Sequence, residues 1–501
     1  MLLVVCGLAS WCEAQTAEAR TARYLESVRQ RRPLLVEFLR RMPKGGDLHL
    51  HLTGAVYAES YITWAAEAGL CVDRASSGLR RGPCGTCERS EPRPPASCAL
   101  KEQALYDQLV DAWSMRGFRP ATESGHDRFF GTFGKFSPAI DGRVGDALAE
   151  VASRAAAERV SYLEAIVSFA GDGFAELVGR AGWDDDLLRQ RERLLSAGLR
   201  DAVAAARAQL DADEARRARL LGCAGARPDP GCRVSTRYLS QVHRGHPREA
   251  VFAQILLSFE LARADPRIVG FNLVMPEDGG VAMREFDLHM RMIETLRPSY
   301  PGVRVALHAG ELIAGLVPPE GLRFHVRQSV ERAGAERIGH GVSVMHEDDA
   351  RGLLRELARR RVLVEVCLSS NDLILGVSGS RHPLAVYLAS GVPVALATDD
   401  AGVARSDLTH ELVRAVEDHG VGYRELKRMA RSSLSHSFLP GASLWSENAG
   451  VRQRACRADD PAREERSPAC AAFLGASERA RLQWSLEKDL SAFERSVGGA
   501  P

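Results

Sequence analysis

The chain is expected to fold as an α/β protein: a (β/α)8 TIM barrel with an N-terminal helical segment and a disulfide-bearing loop insertion after the first strand. Three observations predict this. Eight short apolar, β-prone runs recur along the sequence, and near-continuous apolar strands suit a parallel sheet covered on both sides. Helical stretches rich in Ala, Arg and Leu lie between many of them. Several runs end in His, Glu or Asp, which is where a barrel of this kind carries its chemistry.

The elements follow in order. Residues 15–42 combine heavy charge with helical spacing and read as an N-terminal helical segment. The strand candidates are "DLHLHL" (47–52), "VSYLEAIV" (160–167), "STRYLSQVH" (235–243) and "IVGFNLV" (268–274). They continue with "VRVALHA" (303–309), "RIGHG" (337–341), "VLVEVCL" (362–368) and "VPVALAT" (392–398). The barrel is placed at 43–445, with an insertion at about 70–100 in the wide gap after the first run. A C-terminal loop and helix take up 446–501, helical from about 475.

Composition is that of a globular protein: 501 residues, 45% hydrophobic and 26% charged, long enough for a large core. A net charge of +1 with both signs interspersed gives no reason to expect nucleic acid or an anionic membrane as partner. The leading "MLLVVCGLASWCEAQ" is too short to span a bilayer and reads as the apolar part of a signal peptide, residues 1–14, with Ala14 as a cleavage point. It lacks a basic leading region, so a disordered or helical N-terminus is the alternative. The chain is accordingly expected to be secreted or periplasmic, with a cytoplasmic location as the alternative and no stable membrane insertion.

Cysteine placement agrees with export. Beyond Cys6 and Cys12, eight of the remaining nine lie in local groups: Cys71, Cys84, Cys87 and Cys98; Cys223 and Cys232; Cys456 and Cys470. Even-numbered local groups in loop sequence resemble disulfide staples. The first four allow three pairings. "PCGTC" (83–87) also matches half of a zinc-deaminase signature, but no H-x-E or C-x-E precedes it. A disulfide loop is therefore expected there, with a structural zinc as the alternative. Cys367, in "VLVEVCLSS", is expected to be a buried free thiol.

The candidate chemistry begins at "GGDLHLHLTGA" (45–55). Side chains alternate along a strand, so His49 and His51 share one face while Leu48, Leu50 and Leu52 share the other. Such a pair serves either a metal or a hydrogen-bonded core. Further along, the fifth run leads into "HAGE" (His308, Glu311), the sixth ends in "GHG" (His340) and the eighth in "ATDDAG" (Asp399, Asp400). Each has a structural alternative: a core histidine, a turn, a helix-capping carboxylate. At one barrel mouth they converge. His49, His51, His308 and Asp399 form a nitrogen/oxygen set suited to one zinc ion per chain. Zinc would pull the pKa of a bound water toward neutrality. Glu311, His340 and Asp400 remain as acid/base groups around that water, the adjacent aspartates being expected to point in opposing directions.

In the same order, "MPKGGDLHLHLTGAV", "HAGE", "RIGHGV", "VEVCLSSN" and "ATDDAGV" resemble the adenosine deaminase family of metal-dependent hydrolases. "GFNLVMPEDG" and "HAGELIAGLVPPEGLRFH" are most similar to its secreted adenosine-deaminase growth-factor-like branch and bacterial relatives. The resemblance covers roughly residues 40–440 and implies a (β/α)8 barrel. It implies zinc-dependent hydrolytic deamination of adenosine, and of 2′-deoxyadenosine, to inosine and ammonia. Zinc would be held by His49, His51, His308 and Asp399. Glu311 would protonate purine N1, while His340 and Asp400 orient and deprotonate the attacking water. Substrate binding would fall to Thr53, Gly54 and Met275. Two of these depart from the pattern: Thr53 stands where the family often has a sugar-binding acid, and Met275 replaces a glycine whose backbone N–H meets the purine.

The partner implied is a small purine nucleoside, and the chain is expected to be a monomer or homodimer. The alternative is a deaminase of another or modified purine nucleoside or amino-heterocycle on the same site. A non-catalytic nucleoside-binding or signalling protein is the third reading, and the full acid/base set argues against it.

Overall fold

The computed structural model describes residues 16–446 and 451–498. The expected signal peptide, residues 1–14, lies outside them. Eight parallel strands form one sheet in the order β1 (Gly45–His51), β4 (Val160–Val167), β5 (Ser235–His243), β6 (Ile268–Val274), β7 (Arg304–Ala309), β8 (Arg337–His340), β9 (Leu363–Val366) and β10 (Val394–Leu396). The ring closes where His51 N–H donates to Asp399 O and Asp399 N–H donates to His49 O. All eight expected strands are present: β4, β5 and β6 match to the residue, β1 starts two residues earlier and ends one earlier, and the last four are shorter. Helices between the strands cover the outer face, completing the (β/α)8 barrel.

The excursion after β1 is larger than expected. Residues 52–159 carry several helices, among them α3 (Gly125–Phe136), and an antiparallel pair, β2 (Cys71–Asp73) and β3 (Gly78–Arg80). Disulfides join Cys71 to Cys84 and Cys87 to Cys98. Cys84 and Cys87 thus leave "PCGTC" toward different partners, so the structural-zinc alternative there falls. Cys223–Cys232 and Cys456–Cys470 are also bonded, and Cys367 is free and buried.

The N-terminal segment forms α1 (Ala17–Val28) and α2 (Arg32–Arg41). Their apolar face is used within the chain: Phe38 packs on Phe493, ring centroids 5.1 Å apart, in the terminal helix (Glu478–Gly498). Buried Lys427 ties both ends together, 2.6 Å from Glu18 and 2.6 Å from Glu494. Among the described residues no helix is long and apolar enough to cross a membrane.

Inside the barrel, Ile166, Leu239, Val274, Ala306 and Phe438 pack as an apolar layer. The Arg337 guanidinium lies 3.9 Å from the Phe438 ring centroid, and 2.7 Å from both Glu164 and Glu365. A fully buried cation between two carboxylates is tolerated because each charge finds a partner. This floor lies beneath the polar groups at the strand ends.

Candidate functional site

The strand alternation that put His49 and His51 on one face points both into the lumen. His308 arrives on β7, and Asp399 follows β10. Their donor atoms lie within 4.8 Å of one another. His49 Nε2 is 3.0 Å, and His51 Nε2 3.1 Å, from His308 Nε2; Asp399 Oδ1 is 3.5 Å from His49 Nε2 and 3.3 Å from His51 Nε2.

The outer nitrogens show why a cation belongs here. His49 Nδ1–H donates to Glu365 Oε2 at 2.8 Å, and His308 Nδ1–H to Asn272 Oδ1 at 2.8 Å. Both rings then present Nε2 lone pairs to each other, a repulsive arrangement unless a positive charge intervenes. Burial works against charging His49, yet Asp399 and Glu365 outweigh it and raise His49 to about 10. Burial holds His51 down to about 3 and His308 well below the usual imidazole range. The pocket thus favours positive charge among these donors, which a divalent metal held by the ring nitrogens and the Asp399 carboxylate would supply. Asp399 Oδ2 accepts from Ser370 Oγ at 2.6 Å, leaving Oδ1 toward the imidazoles. A second donor set, His49, His340, Cys367 and Asp399, overlaps the first. Burial pushes the Cys367 thiol far up, so it stays protonated and is the poorer ligand.

Three side-chain atoms at the same strand ends are buried without a partner: Glu311 Oε1, His340 Nε2 and Asp400 Oδ1. Unpaired buried polar atoms are rare, and three together mark a place built for a ligand. His340 Nε2 is 3.6 Å from Glu311 Oε1 and 4.0 Å from Asp399 Oδ2. Burial, then the charge of Asp399, pushes Glu311 well above the ordinary carboxylate range, which favours its protonated form. Burial and Asp399 push Asp400 up as well; a nearby dication works in the opposite sense.

The adjacent aspartates do not diverge as expected. Asp399 has φ 58°, which breaks strand alternation, and the Asp399 charge acts on the Asp400 carboxyl. His340 (φ 66°) and Met275 (φ 79°) also take left-handed backbone at strand ends. Such conformations are costly for non-glycine residues and cluster at functional sites. Gly54 and Gly339 matter through space alone: a Cβ at Gly54 would lie 1.6 Å from Asp400 Oδ1, and one at Gly339 2.5 Å from His49 Cε1.

Around these groups lies a layer that the sequence reading did not single out. Glu277, fully buried, accepts the N–H groups of Gly310 (3.1 Å) and Glu311 (2.7 Å), and His325 Nδ1–H at 2.5 Å. It thereby fixes the backbone that carries Glu311. Burial alone would raise Glu277, but His325 and Arg244 bring it down to about 2. Arg244 donates to Met275 O (2.9 Å) and His308 O (3.2 Å), tying the ends of β6 and β7 together. Asn272 and Glu365 were legible in principle, as polar residues inside the apolar runs "IVGFNLV" and "VLVEVCL". Of the expected substrate residues, Gly54 abuts Asp400. Thr53, half-buried, accepts the Tyr61 hydroxyl through its carbonyl at 2.6 Å, and the Met275 side chain is 38% exposed beyond β6.

Comparison with known proteins shows similarity over part of the chain. Residues 200–444 match the model of a family described as adenosine deaminase. Over 139 residues the chain is 34% identical to an adenosine deaminase of Yersinia pseudotuberculosis and 37% identical to one of Serratia proteamaculans. Each match covers 28% of this chain, and 38% and 39% of those proteins. The chain thus matches about two fifths of the length of these relatives. In overall structure it resembles the N6-methyl-AMP deaminase of Arabidopsis thaliana (TM-score 0.51, 19% identity) and the arabidopsis protein ADAL complexed with GMP (TM-score 0.52, 19% identity). Each comparison covers 81% of this chain and 94% of the other. At that identity the likeness speaks for the shared barrel. The match to the adenosine deaminase family model starts between β4 and β5 and runs across β5 to β10, so the similarity to that family covers the C-terminal part of the barrel.

Proposed function

We propose that the chain is a zinc-dependent hydrolase that converts adenosine, and 2′-deoxyadenosine, to inosine and ammonia. The observation that carries this reading is the convergence of a four-donor set with three unpartnered acid/base atoms, Glu311 Oε1, His340 Nε2 and Asp400 Oδ1, in one lumen. His49, His51, His308 and Asp399 would hold one zinc ion. When bound, zinc supplies the Lewis acidity that makes water a nucleophile near neutral pH.

The chain's own residues account for the proton movements. Glu311, whose protonated form burial favours, gives its proton to purine N1 as the C6–N1 double bond accepts the oxygen of water. His340 and Asp400 orient that water and take up its proton, and Asp400 passes a proton to the amino group as the C6–N bond breaks. Ammonia leaves, and the C6 hydroxyl becomes the carbonyl of inosine as its proton returns to Glu311, restoring both carboxyl groups. Because the charge they meet develops on the way to the transition state, these groups act on kcat.

Thr53 and Met275 favour a second reading, in which the same site takes another or modified purine nucleoside. Thr53 offers the sugar a hydroxyl where a carboxylate is common, and Met275 adds a half-exposed side chain beside the base. The four disulfides among the described residues support an oxidising, extracytoplasmic location, secreted or periplasmic. Ammonia release over a panel of purine nucleosides, with metal content measured on the same sample, tests the function. Turnover of adenosine by the zinc-loaded protein is expected. Turnover of another nucleoside with none of adenosine would establish the second reading, and no turnover at all would refute both.

A further inference from the structure

The polarity of His340 follows from a chain of hydrogen bonds anchored on a backbone amide. Leu384 N–H can only donate, and it does so to His382 Nδ1 at 3.1 Å. His382 Nδ1 is therefore an acceptor, and its neutral ring carries its proton on Nε2. That nitrogen lies 3.1 Å from Asn371 Oδ1, which must accept. The carboxamide is thereby oriented, and its Nδ2–H faces His340 Nδ1 at 3.0 Å as donor. His340 Nδ1 accepts, so the proton of the neutral ring sits on Nε2, the atom without a partner in the lumen. All three side chains are buried, with His340 and Asn371 fully so, and water does not compete for these bonds. The polarity is transmitted link by link from the main chain to the site.

We propose that Asn371 and His382 are positioning residues that lock His340 as a hydrogen-bond donor. This rests on the deaminase reading given above and divides the work inside it. His340 Nε2–H points at the attacking oxygen and keeps its own proton. The proton lost by water goes to Asp400, whose free Oδ1 is the remaining acceptor of the pair. A histidine in the opposite tautomer would present a lone pair to that oxygen and repel it. For comparison, a wrong histidine tautomer in a serine protease triad lowers kcat by about 10⁴.

Nitrogen-15 NMR of histidine-labelled protein reads the tautomer directly, with or without zinc, the His340 signal being assigned by its loss in His340→Gln. The expected wild-type signature is Nε2 protonated and Nδ1 bare. Asn371→Asp offers carboxylate oxygens to both rings, so a proton should appear on His340 Nδ1. The same variant should lose about 10³-fold in kcat, with KM and zinc stoichiometry within about threefold of wild type. His382→Ala, which frees the carboxamide to turn, should give a mixed tautomer and a loss of about tenfold in kcat. A wild-type His340 protonated on Nδ1 would overturn the proposal, as would wild-type kcat in Asn371→Asp. Should that variant fail to fold, the wild-type spectrum and His382→Ala still decide. A wild-type protein that turns over no nucleoside refutes the deaminase reading, and the spectrum stands apart from it.

Discussion

Gly54→Ala tests the site with one methyl group. Gly54 needs no special backbone, so the substitution acts through space. The new Cβ would lie 1.6 Å from Asp400 Oδ1, 2.4 Å from its Cγ and 2.7 Å from its Cβ. Ordinary contact starts near 3.4 Å, so the carboxylate oxygen must retreat by about 1.8 Å, and the contact at the Asp400 Cβ means rotation about the side chain is not enough. A displacement of about 1 Å at a reacting group can cost about 10²-fold in rate, so kcat should fall at least that far, or about 2.7 kcal/mol of barrier. Stability should fall too, because overpacking against buried Asp400 costs about 1–3 kcal/mol, which the up to about 1 kcal/mol of helix propensity that alanine gains in the short helix Leu52–Ala55 offsets only in part. The assay is steady-state deamination with zinc analysis and thermal denaturation on the same preparation. Wild-type kcat in a folded, metal-loaded Gly54→Ala protein would refute the placement of Asp400 in the mechanism.

Three other perturbations separate the roles. Glu311→Gln cannot hold the acidic proton and should lose at least 10²-fold in kcat while keeping its zinc; normal turnover would dismiss Glu311 as proton donor. Glu365→Gln removes the carboxylate that orients His49 and should weaken zinc binding 10- to 100-fold in a competition titration, since partners of ligand imidazoles typically contribute that much. An unchanged affinity would show that Glu365 serves only Arg337. The third is a pH effect. His126, on α3, lies 3.0 Å from Asp278 in the loop after β6. That hydrogen bond first, with burial opposing and Asp127 assisting, raises it to about 9. The folded value exceeds the free one of 6.5, so the stabilisation is complete below pH 6.5 and disappears as pH rises through 9. The full shift corresponds to about 3.4 kcal/mol, which solvent screening of a partly exposed pair reduces to about 1 kcal/mol. Urea denaturation should therefore show His126→Gln about 1 kcal/mol less stable than wild type at pH 6 and equal to it at pH 10; the same gap at both would count against the ion pair.

The repeating apolar runs, ended by chemistry-bearing residues, were enough to assign the barrel, because a parallel strand buried on both faces must be apolar along its length. Four candidate donors and three candidate acid/base residues could be named because a barrel collects its strand ends at one mouth. The supporting layer was harder to see. Glu365, Asn272, Glu277 and Asn371 stand in the same runs and motifs, yet each acts on a residue at least 30 positions away: Glu365 on His49, Asn272 on His308, Glu277 on Glu311, Asn371 on His340. Such partnerships depend on the register between strands, which local periodicity does not encode.

The line between the two sources of information is clearest at Asp399 and Asp400. Alternation along a strand predicts that neighbouring carboxylates diverge, and residue types alone separate a metal ligand from a proton acceptor on that basis. The left-handed turn at Asp399 cancels the alternation and brings both groups into one lumen. Only barrel closure imposes that turn, through the reciprocal bonds from Asp399 N–H to His49 O and from His51 N–H to Asp399 O. The residue types and their order were enough to name the candidate site groups. Which way each group points, and which nitrogen of each imidazole carries a proton, was decided by contacts between distant parts of the chain, because hydrogen-bond polarity and backbone strain are settled only when the partners meet.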